Sequence, residues 1–289
     1  MSKLMLGSEV TSEIKTDLLK KINKCQQAGI NPKMVLIRVG NRADDIAYEK
    51  SAFKRMDGLG IICEFCALPE DVNQSCFEDT LLKYNNDDNV HGIMLFRPLP
   101  NHLNEKRIAG LINPDKDVDC MNPLNFAKVF MNDDTGYAPC TPEAVMAMLK
   151  HYQIDLSGKN ITVVGRSLVV GKPLAMLLLA QNATVTITHT KTRDLADKCL
   201  NADIIIAAAG KAKMIGEPMV APGSIVLDVG INFDQAGKMC GDVDFEQVKD
   251  KCAYLSPVPR GVGSVTSFIL CTHVVKSALK QLPNQNEEN

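Results

Sequence analysis

The sequence holds no apolar run near the roughly 20 residues that a membrane-spanning helix requires. At its start only Leu4-Met5-Leu6 is apolar, too short for the core of a secretion signal. An excess of one charge is missing too. The 32 Lys and Arg against 34 Asp and Glu leave a net charge of -2, which gives no reason to expect a nucleic acid or membrane partner. The 5 histidines (His91, His102, His151, His189, His273) have no metal-ligand spacing, so no metal is expected, and repeats and low-complexity segments are absent. The 10 cysteines lie in a chain with no export signal and are expected as reduced thiols in the cytoplasm. Cys63 and Cys66 form a C-x-x-C, but in an apolar, strand-like stretch with no second pair, so neither a zinc site nor a redox motif is expected.

What is present is an alternation of strand and helix over 289 residues, long enough for two domains. Helical spacing covers residues 8–28, 45–59 and 76–85, and strand patterns cover 34–39, 61–68 and 90–96. That order implies parallel pairing with right-handed crossovers. Residues 114–120 read as a loop. Thr141 is expected to cap a helix over 144–152, with Pro142 in its first turn. The alternation then repeats, with strands at 161–164, 184–188, 204–208 and 225–229 and helices opening near Gly171, Arg193 and Pro218. Residues 255–263 read as a loop of turns, 266–279 as a closing helix, and 283–289 as a polar tail expected to fray.

The most informative stretch is 161–173. A buried strand runs into a glycine turn, Gly165 to Gly171, and a helix opens at Gly171-Lys172-Pro173. Such a unit aims backbone N–H groups and a helix N-terminus at one point, which suits a phosphate, so a dinucleotide is expected. The turn is longer than the usual G-x-G-x-x-G. An NAD-selective site tends to end its second strand on an acid that binds the ribose 2′-OH. Here residues 188–193 read Thr-His-Thr-Lys-Thr-Arg, and Arg166 and Ser167 can face the same place. Cations and hydroxyls suit a 2′-phosphate, so NADP is the expected cofactor.

A wider set of motifs fits one family. It comprises Tyr48 in a helix ending at Gly60, Pro98-Leu99-Pro100, the Asp115-Lys116-Asp117-Val118-Asp119 run, Pro139 to Pro142, the 165–171 turn with Pro173, residues 228–232, residues 241–245, and Pro257-Val258-Pro259 with Gly261-Val262-Gly263. Together they resemble the methylenetetrahydrofolate dehydrogenase/methenyltetrahydrofolate cyclohydrolase family over nearly the whole chain. The resemblance implies an α/β fold of two domains with a cleft between them. One is a three-layer α/β folate domain (1–140 with 272–289), the other a Rossmann-like NADP-binding domain (141–271). It also implies a homodimer and a tetrahydrofolate derivative as substrate. Catalytic roles fall to Tyr48 and Asp119, the latter accepting hydrogen bonds from the pterin. Folate contacts fall to Tyr48, Pro98, Leu99, Asp119, Pro257, Val258, Pro259, Arg260 and Gly261. Cofactor contacts fall to Thr141, Gly165, Arg166, Ser167, Val170, Gly171, His189, Thr190, Ala208, Gly210, Asp228, Gly230 and Ile231.

The substrate side departs from the family pattern. The family's lysine four residues after the tyrosine is Ala52 here, and its glutamine before Leu-Pro-Leu-Pro is Phe96, followed by Arg97 in place of leucine. Lys50 and Lys54 lie on another part of the helix surface. Asp45 replaces a serine, Cys120-Met121-Asn122 replaces Gly-Phe-His, Arg260 replaces a glycine and Ser264 a proline. Arg260 is open to two readings, entry into the cleft or exposure to solvent. Hydride transfer depends on proximity and orientation, whereas adding water to the methenyl cation needs proton management. The expectation is an NADP-dependent 5,10-methylenetetrahydrofolate dehydrogenase with weak or absent cyclohydrolase activity. Two alternatives stay open: a fully bifunctional enzyme using another group such as Lys54, and an NADP-binding paralogue with little folate catalysis.

Overall fold

The computed structural model describes residues 2–283, so most of the tail expected to fray lies outside the described residues. The chain divides into two compact units. One gathers the chain up to Glu13 with Val129–Asp133 and Ala138–Thr266; the other holds Ile14–Lys128, Asp134–Tyr137 and the chain from Ser267 on. This differs from the expected division at the N-terminus. Lys3–Leu4 is an edge strand of the first unit, parallel to Tyr254–Leu255, with Lys3 N–H on the Ala253 carbonyl at 2.8 Å and Met5 N–H on that of Leu255 at 2.9 Å. So short a strand leaves no periodicity to read.

The first unit is built on a six-stranded sheet in the order Lys3–Leu4, Tyr254–Leu255, Ile225–Asp228, Ile204–Ala207, Asn160–Val164, Thr184–Thr188. Every pair is parallel. Val163, Ile204, Ile205, Ile206, Val226 and Leu227 are fully buried, as expected of central strands covered on both faces. From Asn160–Val164 the chain steps outward to Thr184–Thr188 and then returns to the other side at Ile204–Ala207. That reversal opens a crevice at the carboxyl ends of the two inner strands, where doubly wound sheets hold ligands.

The second unit has a three-stranded parallel sheet with Lys33–Val39 between Ile62–Leu68 and Gly92–Leu95. Val35 and Ile37 of the central strand pack with Phe77, Leu81 and Tyr84 of the helix Gln74–Asn85. Asn73 caps that helix, its side chain accepting from Cys76 N–H at 2.9 Å. The loop of residues 114–120 is tied to the sheet by a parallel bridge between Ile93 and Asp117.

Two expectations about elements need correction. Thr141 is not a cap: Pro139 is the N-cap of the helix Cys140–His151, and Thr141 stands half-buried inside its first turn. The closing helix starts at Val262 and runs to Leu279, and its 18 residues with mean hydropathy 1.4 satisfy the length and apolarity of a membrane span. The absence of long apolar runs was therefore overstated. Burial accounts for this composition: Leu270, Cys271, Val274, Val275 and Ala278 are all core residues, and Gly92 leaves room for Val274 and Val118.

Candidate active site

In the first unit the turn after Asn160–Val164 is shaped by two glycines. Gly165 has φ +139°, and a Cβ there would overlap the Ala208 carbonyl of the neighbouring strand end. A Cβ at Gly171 would strike the Gly165 carbonyl and crowd the Arg166 nitrogen. No side chain fits at either place, so the turn folds tightly against the strand ends and the helix Gly171–Leu179 begins beside it. The Ser167 hydroxyl accepts from Val170 N–H at 3.0 Å and holds the turn. Arg166 and Ser167 are exposed, Val170 half-buried. Across the crevice the end of Thr184–Thr188 is folded back on itself. His189 N–H donates to the Thr192 hydroxyl at 2.8 Å, and Lys191 N–H donates to His189 Nδ1 at 3.1 Å. Thr190, Lys191 and Arg193 are exposed. This cradle fits a dinucleotide phosphate. Backbone can approach the ligand closely, a helix N-terminus stands beside it, and cations lie at both strand ends.

Of the remaining predicted cofactor residues, Asp228 and Gly230 are buried, Thr141 and Ala208 half-buried, and Gly210 and Ile231 exposed. Asp228 is 3% exposed, and its carboxylate accepts from the N–H groups of Gly230 (2.9 Å), Asp242 (3.0 Å) and Val243 (2.9 Å). Burial pushes the Asp228 carboxyl up to about 6, against the pull of those donors. Asp242, also fully buried, accepts from Ala209, Gly210 and Lys211 N–H and from the Asn232 amide. The two carboxylates fix the loops after Ile204–Ala207 and Ile225–Asp228, and neither side chain points outward for a ligand. Gly230 is buried against Asp242, whereas Ile231 is 62% exposed. A cavity of about 280 Å³ in this unit is lined by Asp228, Lys213, Cys240 and the run Ser256 to Arg260. Arg260 is exposed, has φ +81° and lies at the rim of this cavity, which leaves both readings of its side chain open.

In the second unit the helix Ala43–Asp57 carries Tyr48, and the strand Gly92–Leu95 ends at Phe96, whose N–H still donates to Ile37 O at 2.9 Å. The two rings meet edge to face with centroids 5.6 Å apart. Ala52 is 5% exposed and Phe96 7%. Lys50 and Lys54 are exposed. Asp45 is 8% exposed, burial raises its carboxyl, and Arg42 Nε lies 3.8 Å away. Glu49 faces Arg38 at 2.8 Å.

The three aspartates of the 115–119 run separate by role. Asp115 pairs with Lys280 at 2.5 Å on the surface. Asp117, 1% exposed, accepts from Met121 N–H at 2.8 Å, Asn122 N–H at 2.9 Å and the Asn125 amide at 2.8 Å. Burial raises its carboxyl while these bonds oppose. Asp119 keeps 22% of its side chain exposed and lies 4.0 Å from Arg97 Nη2. Pro98 is exposed at the rim of a cavity of about 470 Å³ that Leu99 and Pro100 also line. The Leu99 side chain packs mainly with the core, with 7% of the residue exposed.

Residues 139–282 match the tetrahydrofolate dehydrogenase/cyclohydrolase NAD(P)-binding domain, and residues 5–119 match the catalytic domain of the same family. The chain belongs to the tetrahydrofolate dehydrogenase/cyclohydrolase family. It is 50% identical over 278 residues to the bifunctional protein FolD of Clostridioides difficile (strain 630), covering 96% of this chain and 97% of that protein. Among solved structures it resembles the bifunctional FolD of Campylobacter jejuni with a TM-score of 0.95 at 39% identity, over 98% of this chain and 100% of that one. It also resembles the Trypanosoma brucei enzyme, solved with NADP and an inhibitor, with a TM-score of 0.90 at 30% identity, over 96% and 98% of the two chains. The two-domain α/β fold with a Rossmann-like unit is that of the family.

Within this family frame two residues were missed as site candidates. Arg55 lies seven residues after Tyr48 and three after Ala52, on the same helix face. Its guanidinium sits 4.4 Å from the centroid of the Phe268 ring, and its buried Nε has no hydrogen-bond partner among the described residues. The i, i+4, i+7 spacing of Tyr48, Ala52 and Arg55 is the sequence signal that places it there. Arg97 was noted only as a departure, and nothing local announces its approach to Asp119. Cys63 and Cys66 form no disulfide, and burial raises both Cys63 (to about 11) and Cys66, the opposite of a reactive thiolate.

Proposed function

We propose that this chain is an NADP-dependent 5,10-methylenetetrahydrofolate dehydrogenase whose cyclohydrolase step is weak. The observation that carries the second half is the Tyr48–Phe96 contact beside buried Ala52. A ring and a methyl group stand where the family has an amide and an amine. The dehydrogenase half is supported by both family domains, by the glycine cradle and by the partly open Asp119. NADP rather than NAD follows from Arg166, Lys191 and Arg193 at the strand ends and from the NADP complex of the T. brucei relative.

In this reading Asp119 accepts from the pterin amino and ring N–H groups and fixes the ring's orientation. Tyr48 packs beside the substrate. Arg166, Ser167, His189 and Thr190 hold the 2′-phosphate end, and the Gly165–Gly171 turn holds the pyrophosphate. NADP+, when bound, supplies the hydride acceptor. The adjacent nitrogens of the substrate supply the push, so the chain's task is placement and exclusion of water. We place the enzyme in the cytoplasm as a homodimer, for which the exposed Ile231 and Phe233 offer an apolar surface.

The test is purified protein with methylenetetrahydrofolate and NADP+. The methenyl product should accumulate before formyltetrahydrofolate appears; prompt formyl release without methenyl build-up would refute the weak hydrolytic step. Calorimetric titration with tetrahydrofolate checks the first half, since an absence of binding leaves only an NADP-binding paralogue.

A second reading is the fully bifunctional enzyme, favoured by the name of the C. difficile relative and by Arg55. A guanidinium offers N–H donors and no acceptor, so Arg55 would orient a water rather than take its proton. Loss of formyl production in Arg55→Met, with methenyl formation kept, would favour this reading.

A further inference from the structure

Arg97 and Asp119 are brought together by topology. Ile93 bridges Asp117 in parallel, and Ile93 N–H donates to Lys116 O at 2.7 Å. The strand Gly92–Leu95 and the Asp117 segment therefore advance side by side, and the residues just beyond each emerge at the same end. Arg97 Nη2 comes 4.0 Å from Asp119 Oδ2, with 26% and 22% of the two side chains exposed. At that separation the guanidinium shields the carboxylate without forming a tight bidentate fork, so its N–H groups are not spent on Asp119.

A 2-amino-4-oxopterin presents three polar groups in a row on its pyrimidine edge: the 2-amino donor, the N3–H donor and the 4-oxo acceptor. One carboxylate can accept from the two donors. It offers nothing to the 4-oxo group, which then faces whatever stands beside the carboxylate. The leucine of the family pattern has no donor for it. We propose that Arg97 donates to the pterin 4-oxo oxygen, so that Arg97 and Asp119 together read the full edge. The assignment rests on the folate reading above and adds a specificity-determining residue to it. The neighbouring cation also offsets the cost of drawing Asp119 out of water when the ring arrives.

The experiment compares folate with its 2,4-diamino counterpart, in which the 4-oxo acceptor becomes an amino donor and N3 loses its hydrogen, so the change in ratio between wild type and the Arg97 variants isolates the 4-position. Both are titrated calorimetrically at near-neutral pH, where neither ring is cationic and the 4-oxo ligand keeps its N3–H. Wild type is expected to favour the 4-oxo ligand by at least about tenfold, because a charged donor facing an amino group loses its bond and repels it. Arg97→Leu and Arg97→Met should each reduce that preference by about tenfold, Arg97→Lys should retain most of it, and Asp119→Ala should weaken the 4-oxo ligand, which offers the carboxylate two donors, more than the diamino ligand, which offers one. A wild-type ratio near one overturns the proposal whatever the variants do, as does a ratio unchanged in Arg97→Leu. If wild type binds neither ligand, the folate reading falls as well. If it binds both equally, only the role of Arg97 falls.

Discussion

Tyr48 and Phe96 meet edge to face at 5.6 Å with their planes at 83°. This is a favoured arrangement for two rings, worth about 0.5–1.5 kcal/mol beyond the area it buries. Phe96 therefore stabilises the end of the strand. On the proposed reading positions 96 and 52 act as a pair: an amide at 96 facing the Ala52 methyl group would be buried without its partner.

The coupling predicts that repair requires both changes. Ala52→Lys with Phe96→Gln should raise methenyl hydrolysis by about 10²-fold or more, the range of a restored acid–base group. Ala52→Lys alone should gain little and should lower stability, because the amine would lie against the Phe96 ring. Stopped-flow absorbance of methenyl decay, with urea midpoints for each variant, separates the two outcomes. No gain in the double variant would mean that the hydrolytic defect lies elsewhere.

The two inner aspartates of the 115–119 run should fail in different ways. Asp119→Ala should raise the folate KM and leave NADP affinity and the urea midpoint near wild type. Asp117→Ala strips three donors of their buried acceptor. It should lower unfolding free energy by about 1–3 kcal/mol for each group left unmet and by less than their sum after relaxation. A stable Asp117→Ala protein with selectively weak folate binding would reverse this assignment.

Much of this was legible in the sequence because the parallel strands are continuous apolar runs and the glycine turn has one use. Residues 34–39 and 204–207 announced themselves by composition, and Gly165 and Gly171 by spacing. Lys3–Leu4 did not, since an edge strand of 2 residues is set by its neighbour Tyr254–Leu255 and not by its own pattern. Leu99 was taken as a folate contact from its place in a motif, but its side chain is needed by the core. Asp228 was read as a cofactor residue for the same reason, and its carboxylate is engaged by three backbone N–H groups. Motif position identifies a residue that matters without saying which way its side chain faces.

The choice of dinucleotide can be tested at Arg166. Arg166→Ala should weaken NADP by about 10–100-fold, the range of a charge-assisted hydrogen bond, while changing NAD affinity far less. Combining it with Lys191→Ala and Arg193→Ala should shift the preference further and reduce the salt dependence of NADP binding. Fluorescence titration of the two reduced cofactors measures both ratios. An unchanged ratio would remove Arg166 from the 2′-phosphate site.

Asp228 gives a pH dependence whose sign is fixed. Its folded value of about 6 lies above the ordinary carboxyl value of 3.8, so the folded state binds the proton more tightly than the unfolded state. The stability this contributes is fully present below about pH 4. It is lost as pH rises through about 6, by up to about 3 kcal/mol. Asp117 and Asp45, also raised by burial, slope in the same direction. Asp228→Asn should flatten the unfolding free energy between pH 4 and 6 relative to wild type, even if its overall stability is lower. Equal slopes for the two proteins in urea titrations would show that this carboxyl does not titrate there.

Arg260 and Cys120 are two non-glycine residues held at positive φ, +81° and +56°. The left-handed conformation costs an ordinary residue about 1–2 kcal/mol. Glycine would relieve that strain but give back about 0.4–1 kcal/mol through its freer unfolded chain. Cys120 is buried, so its removal would also open a cavity, whereas Arg260 is exposed and isolates the backbone effect. Arg260→Gly should therefore stabilise the protein by about 0.5–1 kcal/mol, read as a higher urea midpoint at unchanged slope. If instead the midpoint falls, the Arg260 side chain makes contacts that outweigh the strain of its backbone.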